Sequence, residues 1–320
     1  TGTAPMYPWL RRDWQTLLDV AHAGRLGHAW LLLGDEGLGK EQLADALAAL
    51  HLCQHPTADG ACGQCHACQL LDKSHHPDFN RIGREGKSIG VDPVREVCRR
   101  LNESAQLGLG KVLIVEQAER MTEAAANALL KTLEEPPGNS LIVLLTSQAS
   151  RLLPTILSRC NKHHCLQPAE EVTLSWLQGQ GIMATPSQVR LCQGAPLRVK
   201  AYLEEGSDAM RRTLLEAVVS LRREPTRLPE VASAMATDLE HTIPWLQLLI
   251  NDVLKCQAGC GASQLAMPDL DRQLHELAEL CSCEQLLDSQ RDLVALRERC
   301  QPGQLVNPSI HIQQWLSRWL

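Results

Sequence analysis

The chain has 320 residues, of which 44% are hydrophobic and 21% charged, and it carries a formal net charge of −6. This length allows two or three domains, each able to bury its own core. The acidic balance and the 3% aromatic content disfavour a protein that binds nucleic acid through its overall charge or by base stacking. Because no apolar run approaches the roughly 18 residues of a membrane span, we expect no membrane association.

Thirteen cysteines are present, and no secretion signal is visible. Disulfides are rare in reducing compartments, so the thiols are expected to be buried or to bind metal, and the protein is expected to be cytoplasmic. The C-terminal cysteines, at 256, 260, 281 and 283, have irregular spacing and are predicted to be ordinary thiols rather than a second metal site.

The first half of the sequence alternates short apolar strands with amphipathic helices. Strands are predicted at residues 29–33, 112–115 and 141–145, and helices are predicted to begin at Lys40 and at Asp92, where Asp92 would act as the cap. This alternation is typical of an α/β fold with a parallel sheet.

A segment that resembles a phosphate loop follows the first predicted strand. Gly34, Gly39 and Lys40 fit the pattern G-x-x-x-x-G-K, in which backbone N–H groups and the lysine bind phosphates. The next position should carry a Ser or Thr hydroxyl for Mg²⁺, but Glu41 stands there. A carboxylate beside a triphosphate adds negative charge, so nucleotide occupancy of this loop is expected to be weak or absent.

The second nucleotide motif is also degenerate. The strand predicted at 112–115 leads into Glu116 and Gln117, where an ATPase usually has Asp-Glu for Mg²⁺ and for activation of water. The amide of Gln117 cannot accept a proton. With Glu41 these residues predict that the chain has no intrinsic ATPase activity, although Gly34, Gly39 and Lys40 leave residual nucleotide binding open.

Four cysteines lie close behind the loop, at Cys53, Cys62, Cys65 and Cys68, with the spacing C-x8-C-x2-C-x2-C. Four thiolates around tetrahedral Zn²⁺ form a closed site of the structural type, with no position open for water. The sequence therefore predicts a structural zinc module at about 53–68, and ordinary or redox-active cysteines are the alternative.

An arginine stands in Leu157-Ser158-Arg159-Cys160, about a dozen residues after the third predicted strand. An exposed arginine at this place could reach the γ-phosphate of a neighbouring subunit and stabilise transition-state charge in trans. The alternative is a surface arginine in a salt bridge.

After about Gln167 the strand signals stop and amphipathic helices follow. We predict a small helical domain at 167–206 and a larger one at 207–320. The apolar helix faces of the larger domain are expected to form the core of a helical bundle. The more specific alternative is that the same surfaces also form a subunit interface.

Several stretches resemble the delta-prime family of bacterial DNA polymerase III clamp-loader subunits, within the AAA+ superfamily. They are Tyr7-Pro8-Trp9, Gly27-His28-Ala29, the cysteine cluster, His76-Pro77-Asp78, residues 91–97, residues 126–137 and Ser158-Arg159-Cys160. In the last third the resemblance rests only on helical content and length.

The resemblance implies an AAA+ α/β domain with a zinc insertion at 1–166, a helical lid at 167–206 and an all-α collar domain for oligomerisation at 207–320. It implies a non-hydrolysing stator in a five-subunit ring with delta and gamma or tau subunits, which loads the β sliding clamp on primed DNA. In this family the arginine matched by Arg159 completes the ATP site of the adjacent gamma subunit. Arg198 falls one place from the sensor arginine of the active subunits, so no role is assigned to it.

Three hypotheses therefore stand. The first is the stator that supplies Arg159 in trans, and the absence of Ser or Thr after Lys40 favours it. The second is an active gamma-like or tau-like ATPase motor, which turnover by the isolated chain would support. The third is a zinc-dependent nucleic-acid-binding module, which a salt-dependent DNA complex of the isolated chain would support.

Overall fold

The computed structural model describes residues 5–86, 88–299 and 307–318. The chain divides into two compact units, residues 1–172 and residues 173–320. The first ends close to the boundary predicted at residue 166. Across the described ranges, no helix combines the length and the apolar composition that a bilayer span requires.

The first unit is built on one parallel sheet. Its strands are β1 (Ala29–Leu33), β2 (Phe79–Ile82), β3 (Lys111–Val115), β4 (Ser140–Thr146) and β5 (Asn161–His164). They lie in the order β2-β3-β4-β1-β5, and every pairing is parallel. The three predicted strands are the central ones, which are buried along their whole length, whereas the two edge strands are polar and partly exposed and were not predicted.

Among the described residues of the first unit, six α-helices precede residue 170 and accompany the sheet. They are α1 (Arg11–His22), α2 (Lys40–Leu52), α3 (His66–Asp72), α4 (Val91–Asn102), α5 (Glu123–Glu134) and α6 (Pro154–Leu157). Helices α4 and α5 join the central strands in one hydrophobic cluster, and α2 packs on β3 and β4 with Leu43 and Leu47 fully buried. The predicted cap at Asp92 is wrong, because α4 begins at Val91 after Gly90 and Asp92 lies within its first turn.

The parallel sheet brings the nucleotide motifs to one edge. In a parallel sheet the carboxyl ends of all strands lie on the same side of the sheet, and ligands bind next to these ends. The phosphate loop follows β1, Glu116 and Gln117 follow β3, and Ser147 follows β4. The sheet order therefore places segments that are distant in sequence side by side.

The second unit is helical throughout its described residues. Its helices, with the one that crosses into it from residue 170, are α7 (Glu170–Gly179), α8 (Pro186–Leu191), α9 (Pro196–Glu204), α10 (Ser207–Ser220), α11 (Leu228–Ala236), α12 (Leu239–Gln257), α13 (Asp271–Leu280), α14 (Cys283–Arg299) and α15 (Pro308–Ser317). Buried side chains from Leu177 to Leu316 form one hydrophobic cluster. The α/β fold followed by a helical part is confirmed, and the division near residue 206 stays a prediction.

Candidate functional site

In the phosphate loop between β1 and α2, the lysine side chain binds the backbone of the loop itself. Gly39 has φ of 80°, a left-handed conformation that glycine adopts without steric cost, and α2 begins directly after it. Lys40 is only 4% exposed. Its Nζ donates hydrogen bonds to the backbone oxygens of Gly34 at 2.7 Å and Asp35 at 2.9 Å. The ammonium group therefore binds the carbonyls of its own loop.

The segment that precedes α1 is tied to this loop. The indole Nε1 of Trp9 donates to the backbone oxygen of Leu38 at 2.8 Å, and the backbone N–H of Tyr7 donates to Oε1 of Gln42 at 2.8 Å. The rings of Tyr7 and Trp9 stack with centroids 4.9 Å apart. Burial raises the pKa of the Tyr7 hydroxyl, and the nearby charge of Glu41 adds to the rise. Glu41 thus lies close to this aromatic pair.

An arginine compensates the carboxylate at the end of β3. Glu116 is buried, and its Oε1 lies 3.1 Å from Nη1 of Arg81 in β2 and 3.7 Å from Nη2 of Arg84. Arg81 also pairs with Asp45 of α2. Burial lowers the pKa of Arg81, while the charge of Glu116 opposes that shift. A guanidinium therefore stands beside the carboxylate that, in an active site, faces a divalent cation.

Gln117 occupies the position of the missing base in an unusual conformation. Its φ is 51°, a left-handed value that costs a non-glycine residue of order 1–3 kcal/mol and tends to occur at functional sites. The nearby carboxylate of Glu119 accepts hydrogen bonds from Oγ of Ser147 at 2.8 Å and from its backbone N–H at 3.3 Å. Glu119 is thus hydrogen-bonded to the residue that follows β4, and position 117 itself carries an amide that cannot act as a base.

The four cysteines predicted to bind zinc come together at the C-terminal end of α2 and the N-terminal end of α3. Their Sγ atoms all lie within 4.8 Å of one another. The sulfurs of Cys53 and Cys65 are 3.9 Å apart. A tetrahedron with Zn–S bonds of about 2.3 Å has sulfurs about 3.8 Å apart. The cluster could therefore hold a metal ion of this size.

Backbone N–H groups point at the sulfurs. Cys62 donates to Sγ of Cys53 at 3.2 Å, and Cys65 donates to Sγ of Cys62 at 3.4 Å. Burial by itself raises the pKa of the Cys65 thiol, but hydrogen bonds from the backbones of Cys68 and Gln54 outweigh it and lower the pKa to about 6. Backbone hydrogen bonds also lower the pKa of Cys62, whereas burial raises the pKa of Cys53 and Cys68. The thiolate is the form that binds metal, so the local backbone favours it at Cys62 and Cys65.

Helix α1 holds the loop that carries Cys62. Thr57 and Gly60 form a short antiparallel bridge with hydrogen bonds of 2.7 and 3.2 Å. Gly60 has φ of 131°, and a Cβ there would lie 3.0 Å from the indole ring of Trp14. Nε1 of Trp14 donates to the backbone oxygen of Asp59 at 3.4 Å. The cysteine loop is thus packed against the α/β unit.

Arg159 lies on the surface of the α/β unit, directly after α6. Its Nε donates to Oε1 of Glu134, the last residue of α5, at 2.7 Å, and its Nη2 pairs with the same oxygen. Its Nη1 donates to the backbone oxygen of Thr155 at 2.8 Å and to Oγ of Ser158 at 3.3 Å. Cys160, which follows, is buried. The arginine thus stands on a fixed backbone with a partly exposed side chain.

Comparison with known proteins identifies the family. The family model described as "DNA polymerase III, delta subunit" matches residues 10–169, and the model "DNA polymerase III, delta subunit, C terminal" matches residues 205–320. The chain is 36% identical over 317 residues to DNA polymerase III subunit delta' of Escherichia coli, which covers 98% of this chain and 94% of the relative. The chain belongs to the DNA polymerase III delta' family.

Other relatives agree with this assignment. The subunit delta' of Pseudomonas aeruginosa is 34% identical over 331 residues, covering 99% of this chain and 98% of the relative. Among solved structures, a DNA polymerase III gamma subunit-related protein of Thermotoga maritima is 22% identical and covers 95% of this chain and 97% of its own, with a TM-score of 0.46. The family assignment rests on the sequence relatives.

Sequence reasoning missed two partners in this member of the delta' family. Arg81 was not expected beside Glu116, and Glu134 was not expected beside Arg159. Both arginines and both glutamates are visible in the sequence, but 25 residues separate Glu134 from Arg159, and no local periodicity relates them. Arg198, to which no role is assigned, lies in α9 and donates to Oε1 of Gln193 at 3.1 Å.

A second group of residues with side chains that can bind metals lies near the phosphate loop. Asp13, His163 and Cys165 have ligand atoms within 4.8 Å of one another. Oδ1 of Asp13 and Nε2 of His163 already share a hydrogen bond of 2.8 Å, which joins α1 to β5. We interpret this group as a structural contact between helix and sheet edge. Within the described ranges, neither cluster of this kind includes the C-terminal cysteines.

Proposed function

We propose that this chain is a non-hydrolysing subunit of a DNA polymerase III clamp loader and that it supplies Arg159 to ATP bound by a neighbouring subunit. Membership in the delta' family supports the first part. As the resemblance implies, the partners are gamma or tau and delta subunits in a five-subunit ring, and the assembled loader acts on the β sliding clamp and primed DNA in the cytoplasm.

The observation that carries the proposal is the self-bound lysine of the phosphate loop. The ammonium group of Lys40 has three N–H donors, and Gly34 and Asp35 take two of them, so a phosphate could engage the lysine fully only by displacing these bonds. Hydrogen bonds to charged groups contribute about 1.5–3 kcal/mol each. A phosphate would also meet Glu41 where a metal-binding hydroxyl is needed. These features oppose nucleotide binding at this loop.

The second motif opposes metal binding in the same way. Mg²⁺ is held through carboxylates and substrate phosphates. Glu116 is already paired with the guanidinium of Arg81, and a cation approaching it would meet like charge. The amide at Gln117 cannot take a proton from water. Position 116 therefore carries a carboxylate already paired with an arginine and position 117 carries no base, which fits a subunit that does not hydrolyse ATP.

Arg159 is the group that can still act in catalysis. Its side chain is partly exposed and its backbone is fixed by α6 and by buried Cys160. An arginine that reaches a neighbour's γ-phosphate stabilises transition-state charge and contributes about 10³–10⁵ in rate. This arrangement supports a role in trans.

The test is DNA-stimulated ATP hydrolysis by a loader reconstituted from this chain and its gamma and delta partners. We expect Arg159→Ala to lower turnover roughly 10³-fold and the isolated chain to be inert. Arg151→Ala, at a nearby exposed arginine, is the matched control and is expected to keep native turnover. Unchanged turnover with Arg159→Ala would contradict the proposal, and hydrolysis by the isolated chain would favour the motor hypothesis.

We also propose that Cys53, Cys62, Cys65 and Cys68 hold a structural Zn²⁺. The sulfur spacing and the backbone donors support this, and four thiolates leave no open position for chemistry. Metal analysis should give one Zn²⁺ per native chain and almost none for Cys62→Ser, which should also expose residues 54–61 to proteases. Cys283→Ser, at an exposed thiol, should keep the metal. A native chain purified without any bound metal would overturn the proposal.

A further inference from the structure

We infer that Glu134 is a positioning residue for Arg159: it holds the guanidinium by the edge that carries Nε, so that the outer edge faces the phosphate of a neighbouring subunit. This inference rests on the proposed role of Arg159 and assigns that role a second residue. Glu134 itself touches neither ATP nor the reacting atoms.

The hydrogen bonds of Arg159 define the available edge. A guanidinium has five N–H donors. Nε donates to Glu134, and Nη1 donates to Thr155 and Ser158, while Nη2 is in ion-pair contact with the same Glu134 oxygen. Nη2 is therefore the nitrogen that can donate to an incoming phosphate. The bond to Ser158 is the longest, at 3.3 Å, and is the first that a second phosphate oxygen would replace.

Both residues are mounted on rigid elements. Glu134 ends α5, which is capped by the side chain of Thr122 and buries Leu129 and Leu133. Arg159 follows α6, and its own backbone N–H donates to the oxygen of Ile156 at 3.1 Å. A catalytic group held by a supported helix end keeps its geometry better than one on a free loop.

Holding the side chain in advance reduces the entropy that binding must overcome. A free arginine side chain samples many rotamers, and this entropy is lost when the side chain is fixed. The contacts to Glu134 remove part of this freedom before the neighbour arrives. Without Glu134, only the Nη1 contacts would hold the guanidinium.

Because the pair is exposed, Glu134 can hold the side chain of Arg159 without cancelling the attraction between the guanidinium and a phosphate. The side chains of Glu134 and Arg159 are 48% and 32% exposed. In such an environment water screens the carboxylate, and an ion pair contributes little to stability. A multiply charged phosphate in a closed subunit interface interacts more strongly with the guanidinium, so the arginine can serve both groups.

The experiment measures DNA-stimulated ATP turnover of reconstituted loaders isolated as assembled complexes, so that assembly defects do not enter the rates. We expect Glu134→Ala to lower kcat about tenfold with little change in the KM for ATP, because the lost interaction acts in the transition state. Glu134→Gln keeps an oxygen acceptor and should restore most of the rate. Glu135→Ala, one residue further along the chain, is the matched control. The double variant Glu134→Ala/Arg159→Ala should turn over no more slowly than Arg159→Ala alone.

The outcomes separate the two proposals. If Glu134→Ala keeps native turnover while Arg159→Ala loses it, the positioning role is wrong and the arginine finger stands. An additive loss in the double variant, or a higher rate with Glu134→Ala, also overturns positioning. If neither Arg159→Ala nor Glu134→Ala changes turnover, the proposed function itself fails.

Discussion

Two arginine-glutamate pairs in the α/β unit use the same chemistry in different surroundings. The side chains of Arg81 and Glu116 are 15% and 11% exposed, whereas those of Arg159 and Glu134 are 32% and 48% exposed. The first pair lies between sheet and helix at the degenerate nucleotide motif, and the second lies at the surface. Burial thus distinguishes the two pairs: the first is largely desolvated, and the second remains in contact with water.

The physical reason is the cost of leaving a charge without its partner. Removing one member of a buried ion pair typically costs about 3–5 kcal/mol, because the remaining charge is desolvated. An exposed pair contributes about 0–1 kcal/mol, because water replaces the lost partner. Arg159 could therefore bind a phosphate in place of, or together with, its carboxylate partner at low energetic cost. Separating Arg81 from Glu116 would cost much more.

The largest effect that we expect comes from Arg159→Lys. Lysine keeps the charge but has no planar fork to bridge a carboxylate and a phosphate. Turnover of the assembled loader should fall roughly 10³-fold, close to the effect of alanine. Steady-state ATP hydrolysis with primed DNA checks this. Near-native turnover would mean that a point charge suffices and that the hydrogen-bond geometry of Arg159 is unimportant.

The next effect concerns the buried pair. Arg81→Met should lower the free energy of unfolding by about 3 kcal/mol, because Glu116 is left buried with only the more distant Arg84 nearby. Urea denaturation of the isolated chain measures this. The variant Arg81→Met/Glu116→Gln removes both charges and should recover most of the loss. A double variant as unstable as the single one would show that Arg81 acts mainly through Asp45 instead.

A smaller effect is expected for the exposed pair. Glu134→Ala should change the free energy of unfolding by less than about 1 kcal/mol, although we expect it to lower turnover in the assembled loader. The same urea experiment applies, with Glu135→Ala as the control. A loss as large as that of Arg81→Met would remove the distinction between the two pairs.

The smallest effect is the response to salt. Raising ionic strength from about 0.1 M to about 1 M shortens the Debye length from about 10 Å to about 3 Å. The coupling energy between Glu134 and Arg159 in a double-mutant cycle should shrink, whereas that between Arg81 and Glu116 should change little. Equal salt dependence of the two coupling energies would contradict the assigned difference in burial.

The central strands and the helical second half could be predicted because their signals are local. Residues 29–33, 112–115 and 141–145 are continuous apolar runs within β1, β3 and β4, and they are buried along their whole length. The edge strands carry residues such as Arg81 and His163, which are tolerated because one side of each strand has no neighbouring strand. Polar edge strands lack the pattern that identifies a strand in a sequence.

The sequence by itself determined the chemical groups: the cysteine spacing, the glycines and lysine of the phosphate loop, the missing hydroxyl and base, and the arginine at 159. Only the tertiary structure decided their partners. Lys40 binds its own loop, Glu116 meets Arg81 from the neighbouring strand, and Arg159 meets Glu134. Local spacing fixes which side chains a short segment presents, whereas contacts between distant segments depend on strand order and helix ends, which no short stretch of sequence encodes.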